Sequence, residues 1–257
     1  MHLPHIHSPP RLQVFKNVMH HVTASATGNW WFVGTPTSVV RGSLHRAFTT
    51  NFGTIAFGSL IIAVISALEA MARNAEQKAG ARRNAAAAVA AGCARCLLGL
   101  LRRISEYINS WALVYSALTG SGLVASGRAV IGLFKQRGWT AVINDDLTGS
   151  AMRIAAMMAG CVSALLGGGV AYALTRNSNV AGLVAFFCFV CGIAMASVVN
   201  GVLTSAVRTV FVCFAMSPAA CAATHPTHLT TLVNAWHVAY PNELSGCGYT
   251  AAYLSHA

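Results

Sequence analysis

Three stretches of this sequence, residues 47–68, 154–175 and 177–207, contain no Asp, Glu, Lys or Arg. About 20 apolar residues, rising 1.5 Å each, cross a hydrocarbon core roughly 30 Å thick. Each stretch is therefore long enough to span a bilayer, and the last can do so with tilt or overhang. Within lipid the backbone polar groups must satisfy one another, so such stretches are helices. Charged residues make up 9% of the 257-residue chain, against about 25% in soluble domains. That is too little charge to cover a water-exposed surface. The expected fold is all-α: a polytopic transmembrane helical bundle.

The net charge of +11 does not point to nucleic acid, because the basic residues crowd beside the apolar runs. Seven of the 17 (Arg73, Lys78, Arg82, Arg83, Arg95, Arg102 and Arg103) lie between residues 72 and 104. Flanking basic residues mark the cytosolic side of a membrane protein, so residues 72–104 are expected to form a basic cytosolic loop. The eight cysteines include two pairs with ligand-like spacing, Cys93-x-x-Cys96 and Cys188-x-x-Cys191. The second pair sits inside an apolar run without His or acid neighbours, and a thiol there is a small hydrophobe. No metal and no cofactor are expected. Residues 1–12, with His2, His5 and His7, lack the apolar core of a signal peptide and read as a flexible tail.

The transmembrane domain is expected over residues 13–207, with helices at about 17–33, 47–70, 107–127, 150–175 and 180–207 and a C-terminal tail over 208–257. Apolar positions 97, 98, 100, 101, 104 and 108 repeat at helical spacing opposite Arg102 and Arg103, which predicts an amphipathic helix lying in the interface. The segment 107–127 is flanked by basic residues on both sides and interrupted by glycines in its second half. It reads as a re-entrant or broken element, tolerated at membrane depth only beside protein or a wet cavity, with a simple span as the alternative. Two of the chain's six acids, Asp145 and Asp146, stand together just before the next apolar run. They suit a helix N-cap, and a gating ion pair with Arg137 or another basic residue of the loop is the sharper alternative.

Several stretches carry a family resemblance: "KNVMHHVTASATGNWWF", "GSLHRAFTTNFGTIAFGSLIIAVI", the long run from "CLLGLLRRISEYINSW" to "RGWTAVINDDLTG", and "SAVRTVFVCFAMSPAA". Together, over roughly residues 12–225, they resemble the choline transporter-like proteins. The resemblance covers the later part of that family's pattern, so the chain is expected to be truncated at its N-terminus, and the acidic stretch usual after "VFVCF" is missing. What the resemblance implies is transport of choline or a related amino alcohol, with proton coupling proposed for the family. A quaternary ammonium cannot donate hydrogen bonds and is held by aromatic faces. Trp30, Trp31, Tyr107, Trp111 and Tyr115 are the candidate rings, with Asn51 and Asn109 as candidate partners for a hydroxyl. The tryptophans at 30 and 31 also suit interface anchoring.

Coupling and gating candidates are His20, Glu106, Asp145 and Asp146. An ionisable group in a membrane helix is a functional hypothesis by default, with hydrogen-bonded packing as the alternative for His20 and His21. Glu106 is expected to pair with Arg102 or Arg103. The expected function is carriage of a small organic cation by a non-enzyme, integral to a membrane, with the plasma membrane as the expected location. Lipid, substrate and further helices or another subunit are the expected partners. The alternative is a membrane scaffold or partner subunit without its own transport path. A head-group enzyme is disfavoured, because magnesium-dependent transfer needs clustered carboxylates.

Overall fold

The computed structural model describes residues 10–34, 38–81, 85–136 and 147–239. Among them the regular structure is helical: α1 (Pro10–Val33), α2 (Val39–Phe48), α3 (Phe52–Ala81), α4 (Ala85–Thr119), α5 (Leu123–Gln136), α6 (Leu147–Thr175), α7 (Ser178–Met216), α8 (Pro218–Thr224) and α9 (Pro226–Ala239). The stretches 52–81, 85–119, 149–175 and 178–216 are long and apolar enough to cross a membrane. The chain divides into two compact units. The first holds residues 1–133 and 212–224, and the second holds 134–211 and 225–257.

In the first unit, α3 and α4 form an antiparallel hairpin. Glu69 Oε2 meets Arg102 Nη1 at 3.1 Å, and further out Glu76 Oε2 meets Arg95 Nε at 3.1 Å. Asn109 faces Gly58 so closely that a Cβ there would collide with its Oδ1. These pairs correct the expectation of a basic loop at 72–104. Apart from residues 82–84, which lie outside the described residues, that stretch is helix. The "AAAAVAA" run has the highest helix propensity available, and the acids of α3 stand opposite arginines of α4. The amphipathic stretch 97–108 is likewise not a separate interfacial helix but the middle of the unbroken α4.

The helix α1 runs antiparallel to α3 and parallel to α4. Asn17 Nδ2 donates to Ser59 Oγ at 2.8 Å and Asn51 Nδ2 lies 3.1 Å from His21 Nε2, while His20 Nε2 lies 2.9 Å from the Ser110 carbonyl and Gly28 abuts Leu118. The expected membrane helix at 17–33 therefore starts earlier and differs in kind. It is not among the four spans by length and apolarity. It presents Asn17, His21, Ser25, Gly28 and Trp31 to the protein interior at helical spacing. Val18, Ala47, Ile55 and Leu113 form the apolar core beside this seam. The apolar run 47–68 is not one helix either: α2 ends at Phe48 and α3 begins at Phe52.

In the second unit, α6 and α7 form another antiparallel hairpin built on small residues. Gly160 packs on Ile193, Gly168 on Ala185 and Gly192 on Ser163, and Asn200 Nδ2 donates to the Met152 carbonyl at 2.7 Å. Backbones approach closely where side chains are small, the usual device between helices in lipid. The outer faces carry large exposed apolar side chains, among them Leu165, Leu174, Leu183, Phe186 and Phe187. The stretch 208–239, expected as tail, is largely helical. Trp236 of α9 stacks on Phe211 with centroids 4.8 Å apart.

Candidate functional site

Tyr107, Trp111 and Tyr115 are spaced four apart on α4 and so form one stripe. The Tyr107 and Trp111 rings meet edge to face, centroids 6.2 Å apart. Tyr107 is exposed, Trp111 is buried and Tyr115 is half-buried. At about 100° per residue, the α4 positions that touch α1 (Ser110 and Leu118) lie on one side of this stripe. The positions that touch α5 lie on the other: Gly127 packs on Ile108 and Ala112 at 3.8 and 3.7 Å. The rings therefore occupy the sector of α4 between α1 and α5.

The far wall exists because the helix breaks. Gly120 takes φ +75°, a backbone conformation open to glycine at little cost, and α5 begins at Leu123 and returns along α4. The freed backbone is caught by hydroxyls. Ser116 Oγ and Ser126 Oγ donate to the Ser121 carbonyl at 2.7 and 3.2 Å, and Thr119 Oγ1 accepts from the Ser121 N–H at 3.3 Å. At 14 residues, α5 measures about 21 Å, short of a roughly 30 Å core.

The other candidates take different places. Asn109 is two residues from both Tyr107 and Trp111, on the opposite face of α4 against α3, so it is not a polar partner for the rings. Its Oδ1 is buried and finds no hydrogen-bond partner among the described residues. Asn51 is engaged with His21. Trp31 is 1% exposed, stands T-shaped on Phe214 at 6.4 Å, and donates its Nε1–H to the Ser217 carbonyl at 3.0 Å. It sits 11 residues beyond His20, about 16 Å along α1, and is an internal anchor instead of an open ring. Trp30 is half-buried in the last turn of α1.

Glu106 Oε1 accepts from Arg102 Nε at 3.0 Å, one turn away. His20 is held against the α4 backbone at Ser110, between Tyr107 and Trp111 in register. Asp145 and Asp146, with Arg137, lie outside the described residues. His21 is a fully buried ionisable group that shares its seam with Ser25, and Ser25 Oγ accepts from Ser43 Oγ at 3.1 Å and Arg46 Nη2 at 3.2 Å. The spacing of Asn17, His21 and Ser25, four apart, was the signal for this seam in the sequence.

Residues 11–219 match a family model described as plasma-membrane choline transporter. The chain is similar to Protein PNS1 of Gibberella zeae, at 31% identity over 227 residues covering 86% of this chain and 42% of the relative. A CTL-like protein of Dictyostelium discoideum is 28% identical over 231 residues, with 88% and 40% covered. Protein PNS1 of Saccharomyces cerevisiae is 28% identical over 222 residues, with 80% and 40% covered. The chain spans about two-fifths of the length of these curated relatives.

Proposed function

Since this integral membrane chain belongs to the choline transporter-like family, we propose that it moves choline or a related small organic cation along the ring-lined sector of α4 between α1 and α5. The observation that carries the reading is the stripe Tyr107–Trp111–Tyr115, whose rings are in turn exposed, buried and half-buried beside a broken helix. A quaternary ammonium gains most from ring faces that are partly shielded from water. The short return of α5 supports a re-entrant element at this point. Glu106 lies one residue from the exposed end of the stripe, paired with Arg102.

The reading is of a non-enzyme carrier in the plasma membrane, with the α3–α4 tip on the cytosolic side. Coupling through His20 and gating at Glu106, Asp145 and Asp146 belong to the same proposal. The test is radiolabelled choline uptake by the full chain in proteoliposomes, alongside Trp111→Phe and Trp111→Ala. Removing one partly desolvated cation–π interaction weakens binding by roughly 3- to 30-fold, so Trp111→Ala raises the half-saturation concentration by that factor and Trp111→Phe by less. Uptake that saturates identically in all three refutes the site. A folded preparation with no saturable uptake favours the second reading, a membrane scaffold or partner subunit.

A further inference from the structure

The helix α2 is divided lengthwise into three sectors. Ser43 and Ala47 are fully buried, and Ser43 donates to Ser25 of α1. Next around the helix come Val40, Leu44 and Phe48, exposed by 65%, 43% and 53%. Beyond them, at about 100° per residue, stand Arg41 and His45, both exposed. The apolar sector does not stop at the end of α2. Phe48 stacks on Phe52, centroids 6.3 Å apart, and Phe52 opens the exposed apolar side of α3 that continues through Phe57, Leu60 and Val64. That side belongs to a helix long and apolar enough to cross a membrane, so the apolar sector of α2 is continuous with the exposed apolar face of a candidate span. The uncharged run of α3 begins where α2 ends, which sets α2 at the level of the headgroups.

We propose that α2, at the end of α3 opposite the α3–α4 tip, is an interfacial helix that binds the headgroup of an anionic phospholipid in that leaflet, with Val40, Leu44 and Phe48 among the acyl chains and Arg41 and His45 on the phosphate. One sector fixes the helix to the bundle, one matches hydrocarbon and one matches negative charge. Apolar side chains flanked by cations are the arrangement that holds a helix in the plane of a bilayer surface. Arg is suited to phosphate because its guanidinium donates two parallel hydrogen bonds.

The experiment uses the full chain reconstituted in vesicles of phosphatidylcholine with a minor fraction of phosphatidylserine. The photo-crosslinker p-benzoylphenylalanine is placed at Leu44, or at Gly42 on the far side of α2 as a control, and adducts are identified by mass spectrometry. Position 44 is expected to give lipid adducts enriched in phosphatidylserine over its bulk fraction, and position 42 few. Arg41→Gln with His45→Gln should remove that enrichment, about fivefold for the lost Arg41 charge, while leaving the acyl adducts. Circular dichroism and gel filtration confirm that the variants remain folded. Adducts to protein at position 44 would mean that a second copy or another segment covers the face, and would overturn the proposal. So would lipid adducts whose composition matches the bulk or survives the double substitution unchanged.

Discussion

Gly192 and Gly201 lie on the same helix, α7, and the same substitution at each should have opposite consequences. A Cβ on Gly192 would stand 2.8 Å from Ser163 Cβ and 3.1 Å from Gly160 Cα, whereas a Cβ on Gly201 meets nothing within 4 Å. Neither obstacle at Gly192 can rotate away, because one is a Cβ and the other backbone. Restoring an ordinary carbon separation of about 3.5–4.0 Å requires α6 and α7 to part by roughly 0.5–1 Å. Overpacking of this kind costs about 1–3 kcal/mol, while glycine to alanine in a helix returns up to about 1 kcal/mol at either position. The propensity gain cancels between the two variants, so Gly192→Ala should be less stable than Gly201→Ala by about 1–3 kcal/mol. Thermal unfolding of the two in one detergent, followed by fluorescence-detected gel filtration, measures the difference. Adding Ser163→Gly should recover part of it. Equal midpoints for the two alanine variants would refute the close approach of α6 and α7.

Glu69→Gln leaves the partly buried Arg102 with only Glu106 as a close acid, and should destabilise the chain by about 1–3 kcal/mol; a double-mutant cycle with Arg102→Gln reads the coupling. Breaking the more exposed Glu76–Arg95 pair should cost under about 1 kcal/mol in the same assay. Trp31→Phe removes the hydrogen bond to the Ser217 carbonyl and should cost about 1 kcal/mol, visible as a lower unfolding midpoint. Asn51→Leu leaves His21 Nε2 buried without a partner, so it should destabilise more than the double variant Asn51→Leu, His21→Leu does relative to His21→Leu alone.

The membrane-spanning, all-helical character was legible because it depends on composition along the chain, and the uncharged runs of α6 and α7 show it directly. The aromatic stripe was legible too, since residues 107, 111 and 115 share a helix face by arithmetic alone. What that face meets was not. Asn109 looks like a companion of Trp111 in sequence, yet two residues on a helix point to opposite sides, and only its packing on Gly58 shows that it belongs to α3. Trp31 looked like an interface residue because tryptophan often is one; its burial depends on Phe214 and Ser217, nearly two hundred residues away in the chain. The polar residues of α1 lowered its hydropathy and obscured their use, which is to pair with Ser59, Asn51 and Ser43 inside the unit.

The α3–α4 hairpin shows why a charge run is ambiguous before the partner helix is known. Counted along the chain, residues 72–104 hold seven basic residues and one acid, Glu76, and such a run reads as a solvated loop. Folded, Glu69 and Glu76 each meet an arginine of the opposite helix, and Glu106 shares Arg102. Half of the chain's six acids thus lie along one seam. The ion pairs offset only part of the positive charge, however, so an excess of basic residues persists at this end. Topology follows the number of basic residues near the span and is indifferent to their conformation. The change from loop to paired helices therefore leaves unchanged the residue count on which the expectation of orientation rests.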